Sequence, residues 1–398
     1  MTDSPRVFSF RSAGRIVFGP GALHRIGELL AGMGAARALV VTDRNLVQPL
    51  EALRASAESA NIEVTVFDDG EAEPSVDVVE RLVAAVSGDP IPDVVVGLGG
   101  GSNLDVAKAA AVVLRHGGEI GKYAGQNQLP GAPLPVVAVP TTAGSGSEVS
   151  GAAILSVPAD DSKLAVVDDR LRPVLALVDP ELHCTCPPTV TRDSGVDAFC
   201  HAVEALTIAD WDQFPRSPEQ PWPLYQGRHP LTDALAIDAV ARIARALPRV
   251  LNEPNDLAAR TEMAVGALNA GAAMGNTGIY TVHALTYPVG AFTKASHGAC
   301  NGALLPAVID FIEPSRRGEC RRIVAAMGDE GPLGEVVRRL WSRIGAPATL
   351  AALGLSRDRL DDVARIGHGI RRLMNGSPRP TSLEELRTVV ERAYGESA

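Results

Sequence analysis

Short runs of almost uninterrupted apolar side chains constrain the fold of this chain more than any other feature. Residues 37–42 (RALVVT), 93–97 (DVVVG) and 135–139 (PVVAV) lack the polar alternation of a strand with one wet face. Strands of that kind must be covered on both faces, which is the condition of a parallel sheet with helices on either side. The stretches between them read as those helices. Residues 46–59 place Leu50, Leu53 and Ala57 on one face, residues 76–86 follow Pro74-Ser75, and residues 102–114 follow a run of glycines. Residues 62–67, 165–167 and 174–178 add strands to the same half. Residues 8–18 (FSFRSAGRIVF) alternate around Gly14 and predict a hairpin.

The second half changes period. Helical patterns cover 190–206, 230–247, 257–274, 321–327, 333–344 and 383–392. The change falls at Cys186-Pro187-Pro188, so the expected domains are an α/β domain, 1–187, and an all-α domain, 188–398. Residues 210–228 are rich in Pro and Gln and carry Trp211, Trp222 and Tyr225, which predicts a long loop or lid. The chain shows no internal repeat and no low-complexity segment.

Composition narrows the partners. Lys and Arg number 37 against 47 Asp and Glu, a net charge of −10. That balance argues against general binding to nucleic acid or to anionic membranes. The five cysteines are odd in number and dispersed, unlike a disulfide framework, and Cys184-Thr185-Cys186 is one residue tighter than a Cys-x-x-Cys pair. Residues 1–10 have no apolar core of a targeting signal, and no run of about 18 apolar residues exists. The expected setting is the cytoplasm.

Two polar turns follow apolar strands. Gly99-Gly100-Gly101-Ser102 leads into a helix, where free N–H groups and the positive dipole end suit a phosphate. It is not the G-x-G-x-x-G fingerprint, and a tight strand-to-helix turn also calls for glycine. The second turn, Pro140-Thr141-Thr142-Ala143-Gly144-Ser145-Gly146-Ser147-Glu148, offers hydroxyls for a pyrophosphate or a nicotinamide ring, or is simply a surface turn. Two such loops on one sheet point to a nucleotide crevice. Asp43, at the end of the first apolar strand, suits a ribose 2′-hydroxyl and repels a 2′-phosphate, which favours NAD over NADP; a turn or cap role is the alternative.

The helical half holds the metal candidates. Asp197 and His201 stand four apart on a helical pattern, so both leave one face and can share a divalent ion or a hydrogen bond. His283 sits in an apolar stretch. His297 lies between a loop and a predicted turn at 298–302.

With these segments together the chain resembles the iron-containing (group III) alcohol dehydrogenases. The resemblance rests on Gly99-Gly100-Gly101-Ser102 through Lys108, on 141–149, on Asp197-Ala198 with His201-Ala202 and Glu204, and on 283–297, and it spans roughly 8–390. It implies an N-terminal dinucleotide-binding α/β domain, an all-helical C-terminal domain and a cleft between them, the fold shared with dehydroquinate synthase. By motif position it implies metal ligands Asp197, His201, His283 and His297. Cofactor contacts would include Asp43, Gly100, Gly101, Ser102, Asp105, Thr141, Thr142 and Lys163, the last from Asp161-Ser162-Lys163-Leu164. The implied metal is Fe2+, with Zn2+ or another divalent ion also compatible with the ligands. The implied reaction is metal-assisted hydride transfer between nicotinamide C4 and a small alcohol, aldehyde or hydroxy acid, in a homodimer paired through N-terminal strands.

One position departs from the family. Where many relatives carry a second His four residues after His283, this chain has Tyr287. That side chain either relays a proton through its hydroxyl or shapes the pocket, together with Phe199, Phe292 and the 211–225 segment. The rival readings are a hydroxyacid-oxoacid transhydrogenase with held cofactor, a lyase of the dehydroquinate-synthase type, and a silent nucleotide-binding protein. The other histidines, His24, His116, His183, His229 and His368, read as structural or surface residues.

Overall fold

The computed structural model describes residues 7–159, 162–215 and 223–395. The chain divides into two compact units, Ser12–Cys186, and Pro187–Ala398 with Met1–Arg11.

The first unit is α/β. Its strands are β1 (Ile16–Phe18), β2 (Arg37–Val41), β3 (Glu63–Phe67), β4 (Val94–Gly99), β5 (Gly125–Gln126), β6 (Val136–Pro140), β7 (Ala152–Val157), β8 (Ser162–Val167) and β9 (Leu175–Val178). Its helices are α1 (Ile26–Gly32), α2 (Val47–Ser59), α3 (Val76–Ala85) and α4 (Gly101–His116). Six strands form one parallel sheet in the order β1-β9-β6-β4-β2-β3. Successive residues of the apolar strands serve opposite faces. Leu39, Val41 and Val95 pack with Val78, Leu82 and Val106 of α3 and α4. Ala38, Val40, Val94 and Val96 pack with Ile26, Leu30, Leu53 and Ala57 of α1 and α2. This double coverage is what the continuous apolar runs require. β8 joins a second, smaller sheet with β5 and with β7, a strand the sequence pattern did not reveal.

The hairpin expected over 8–18 does not form. Only Ile16–Phe18 is extended, and it pairs parallel with β9. Gly14 is no turn; it runs beside the β9 approach, donating its N–H to Pro173 O at 3.0 Å, as Arg15 does to Val174 O at 3.0 Å. Upstream, the backbone is bonded into the helical unit. Ser9 N–H donates to Gln226 Oε1 at 3.0 Å and Arg11 N–H to Asn276 Oδ1 at 2.8 Å. The alternation of 8–18 therefore records packing against two partners rather than one ribbon.

The second unit is helical: α5 (Pro188–Thr207), α6 (Pro230–Asn252), α7 (Leu257–Thr277), α8 (Thr281–Thr293), α9 (His297–Ile312), α10 (Arg317–Met327), α11 (Leu333–Ile344), α12 (Leu360–Gly369), α13 (Arg371–Met374) and α14 (Leu383–Tyr394). The turn expected at 298–302 is instead the opening of α9, whose cap is Ser296 Oγ accepting from Ala299 N–H at 3.3 Å. Gly298 is there because α9 lies against α5. A Cβ at Gly298 would stand 1.9 Å from the carbonyl oxygen of Asp193. Gly298→Ala is therefore expected to push the two helices apart at a cost of about 1–3 kcal/mol, the usual range for an overpacked core. A lowered midpoint in urea unfolding checks this.

Candidate functional site

In the α/β unit the strand order itself points to one place. The chain leaves β2 for β3 on one side and β4 for β6 on the other, so the connection reverses between β2 and β4. Ligands of open parallel sheets bind outside the carboxyl ends of the strands at such a reversal. Asp43 follows β2, Gly100, Gly101 and Ser102 follow β4, and Thr141 and Thr142 follow β6. These six predicted residues are thus brought to one end of neighbouring strands.

Local bonds hold this end in shape. Thr141 N–H donates to Gly99 O at 2.9 Å, tying the two loops together. Gly101 has to be glycine, since a Cβ there would meet Ser145 Cβ and Oγ at 2.7 Å. Gly100 caps α4 and brings no side chain to its first-turn N–H groups, which leaves them to face an anion. Asp43 accepts from Asn45 N–H at 2.9 Å and from Asn103 Nδ2 at 3.0 Å. Asn103 also donates to Leu98 O at 3.2 Å, so it locks Asp43 to the glycine turn. The Ser102 hydroxyl donates to Ala72 O at 2.6 Å, joining the turn to the segment after β3.

Two predicted cofactor residues serve structural bonds. Asp105 accepts from Ser147 Oγ at 2.6 Å and Ile154 N–H at 2.9 Å, and lies 3.9 Å from Lys108 Nζ. Lys163 donates to Glu73 Oε2 at 2.5 Å and to Ser156 Oγ at 2.9 Å; its neighbour Asp161 lies outside the described residues. Lys108, which the sequence reading gave no role, is fully buried and donates to Ser147 Oγ, Ser150 O and Ala152 O at 2.7, 3.0 and 2.9 Å. It anchors the segment that follows the threonine turn. Burial pushes its amine down to about 8 against the pull of Asp105 and Glu148, and pushes the Glu148 carboxyl up to about 7.

In the helical unit the four predicted metal residues meet. Asp197 Oδ1 lies 3.5 Å from His201 Nε2, 3.6 Å from His283 Nε2 and 3.8 Å from His297 Nε2. The donor atoms of Asp197, His283 and His297 all lie within 4.8 Å of one another. His201 reaches the same carboxylate oxygen, and its ring stacks on His283 with centroids 4.9 Å apart. Asp197 and His201 come from α5, His283 from α8 and His297 from the start of α9. Asp197, His201 and His283 are buried, whereas His297 keeps 40% of its side chain exposed, which marks the open side of the cluster.

This donor set fits a divalent first-row ion. Ligands about 2.0–2.2 Å from such an ion stand roughly 3.3–3.6 Å apart along tetrahedral edges, close to the spacings seen. Three imidazoles and one carboxylate suit Fe2+, Zn2+, Mn2+ or Co2+. The supporting contacts also match. Glu204 accepts from Val282 N–H at 2.8 Å and faces His283 Nδ1 at 2.6 Å. A carboxylate on that nitrogen holds the tautomer that turns Nε2 toward the cluster. Burial opposes charge on both Asp197 and His283. The surrounding histidines nevertheless hold the Asp197 carboxyl well below the usual range, and Glu204, then Asp197, push His283 up to about 10. A bound cation would replace that proton, so metal uptake releases it. Glu204→Gln is expected to weaken Co2+ binding about 10–100-fold, read by competition with a chromogenic chelator.

Among the pocket candidates, the Tyr287 ring lies 6.3 Å from that of His297. Phe292 is partly exposed beneath the Arg359 guanidinium, 5.1 Å from its ring. Phe199 is a correction: it is fully buried and packs edge-on against Trp341 at 5.4 Å, so it belongs to the helical core rather than a pocket wall. Of the insert, residues 216–222, including Trp222, lie outside the described residues. Its two ends are joined through Arg228, whose guanidinium lies 3.3 Å from Asp210 and also pairs with Asp233 and Glu319 at 2.5 Å each. Of the histidines left aside, His183 meets Pro140 O at 3.2 Å and His229 caps α6, both structural roles.

Residues 13–180 match the family model for iron-containing alcohol dehydrogenase, and residues 224–394 that of the Fe-containing alcohol dehydrogenase family, C-terminal. The chain is 33% identical to long-chain-alcohol dehydrogenase 1 of Geobacillus thermodenitrificans (strain NG80-2), over 96% of this chain and 97% of that one. It is 35% identical to the NAD-dependent methanol dehydrogenase of Bacillus methanolicus, over 74% and 73%. The solved structure of a 1,3-propanediol oxidoreductase superposes with a TM-score of 0.90 at 29% identity, over 98% of this chain and all of that one (100%). The chain belongs to the iron-containing alcohol dehydrogenase family.

Proposed function

We propose that this alcohol dehydrogenase binds one Fe2+ through Asp197, His201, His283 and His297 and uses NAD to oxidise a small alcohol or to reduce the matching aldehyde or ketone. The observation that carries the reading is the convergence of three imidazole Nε2 atoms on one carboxylate oxygen at 3.5–3.8 Å. When bound, the ion supplies Lewis acidity toward the substrate oxygen and the nicotinamide exchanges a hydride.

The protein's residues do the rest. Asp197 offsets the charge of the ion, and Glu204 keeps His283 oriented. The first-turn N–H groups of α4 take the pyrophosphate, with Thr141 and Thr142 beside it. Asp43, fixed by Asn103, takes the ribose hydroxyls and disfavours a 2′-phosphate. Asp43→Ser is therefore expected to lower the preference for NAD over NADP about tenfold or more, read as the ratio of kcat/KM values; an unchanged ratio removes Asp43 from this role. Tyr287 shapes the approach beside His297. The names of these relatives span methanol, 1,3-propanediol and long-chain alcohols, which supports an alcohol function as the shared substrate element.

The five cysteines are odd in number and dispersed, unlike a disulfide framework, which supports a reducing compartment such as the cytoplasm. β1 is an edge strand with Ile16 and Phe18 exposed, which supports pairing with a second copy in a homodimer.

The test is a screen of short alcohols, aldehydes and hydroxy acids with iron-loaded protein, following free NADH. NADH release with an alcohol supports the reading. Exchange between a hydroxy acid and an oxo acid without free NADH would make the chain a transhydrogenase instead, and no turnover with any of them overturns the dehydrogenase reading.

A further inference from the structure

The metal cluster rests on a neutral amide that none of the proposed ligand roles includes. Asn301 is fully buried on α9, four residues after His297 and on the same face. Its Nδ2 donates to Asp197 Oδ1 at 2.7 Å and lies 3.2 Å from His283 Nε2. Its Oδ1 accepts from Thr286 Oγ1 at 2.5 Å. Thr286 stands three residues after His283 on α8, so its hydroxyl lies under the same face, within 3.0 Å of Val282 O. One side chain of α9 thus reaches α5 through Asp197 and α8 through Thr286 and His283.

We propose that Asn301, held by Thr286, is a positioning residue for the metal ligands: it fixes the Asp197 carboxylate so that Oδ1 faces the three imidazoles. The inference rests on the metal reading above. A buried carboxylate oxygen surrounded by imidazoles can rotate about its last torsion, which is broad and roughly two-fold. A donor at 2.7 Å on one side of Oδ1 removes that freedom before any ion arrives. The donor must be an amide. A carboxylate at 301 would repel Asp197, and a hydroxyl cannot both donate to Asp197 and span to Thr286. The acceptor-only Asp197 carboxylate selects the NH2 end of the amide, and the threonine hydroxyl then holds that orientation by donating to the Oδ1 end. Outer contacts of this kind are typically worth 10–100-fold in metal affinity.

The experiment measures Co2+ binding to the metal-free full chain by chelator competition and by the visible ligand-field spectrum of the Co2+ form. It compares the unaltered protein, Asn301→Ala, Thr286→Val and Thr286→Ser. Folding of each is followed by near-ultraviolet circular dichroism. The expected result is a Kd about 10–100-fold higher for Asn301→Ala with a shifted spectrum. Thr286→Val should be weakened to a lesser degree, and Thr286→Ser should match the unaltered protein because it keeps the hydroxyl. A Co2+ Kd within twofold of the unaltered protein, with the same spectrum, for folded Asn301→Ala overturns the inference. Should Asn301→Ala fail to fold, the Thr286 pair decides: equal affinity for Val and Ser overturns it. Failure of the unaltered protein to bind Co2+ at all would instead overturn the metal reading itself.

Discussion

His283→Ala is expected to leave a folded protein that holds no stoichiometric metal and turns over about 10³-fold more slowly or worse. His283 is the buried centre of the cluster, stacked on His201 at 4.9 Å, 3.6 Å from Asp197 and braced by Glu204 at 2.6 Å. Lewis-acid assistance is worth several kcal/mol, and each 1.36 kcal/mol is about tenfold in rate, so its loss reads as three or more powers of ten. The replacement also leaves Glu204 Oε2 without its imidazole partner. A stability loss of about 1–3 kcal/mol should accompany the loss of activity. Metal content by elemental analysis and kcat on the same preparation check both parts. A variant that keeps stoichiometric metal and full activity would remove His283 from the site.

The second large effect lies in the α/β unit. Lys108→Met should destabilise the protein by about 3–5 kcal/mol, because it deletes one partner of a buried charged cluster. Methionine fills much of the volume, so packing alone does not account for the cost. What is lost is the donor that satisfies Ser147 Oγ, Ser150 O and Ala152 O, while Asp105 stays buried beside them. The sign of the pH dependence can be checked as well. Burial has pushed Lys108 down to about 8 from 10.5. Between those values the unfolded lysine holds a proton that the folded one has released, so stability from this group rises with pH across the window. Lys108→Met lacks that rise, and the gap in unfolding free energy should widen from pH 8 to pH 10. A gap that narrows would mean that Lys108 is not held in this way.

What the sequence could show follows from how each element is buried. β2, β4 and β6 were legible because strands covered on both faces are written as continuous apolar runs. α8 and α9 were not legible as helices. They are buried almost all round, so no amphipathic period marks them, and Pro288 and Pro306 inside them read as breakers. Gly298 misled for a related reason: its smallness serves the approach of α9 to α5, which only the folded chain contains. The four metal candidates were legible from residue type and family spacing. Their supports were not, since Glu204 meets His283 across 79 residues of sequence and Asn301 meets Asp197 across 104. Lys108 was masked in the same way: a lysine in a helical pattern reads as a surface residue, and its three acceptors come from residues 39 to 44 positions later.

The central claim is that the Asp197, His201, His283 and His297 cluster works through a bound divalent ion. The most direct measurement strips the purified protein of metal with a chelator, restores Fe2+ in steps, and follows NADH formed from an alcohol. The account predicts that activity disappears on stripping and returns in proportion to Fe2+, levelling at one ion per chain. Undiminished NADH formation by the metal-free protein would contradict it.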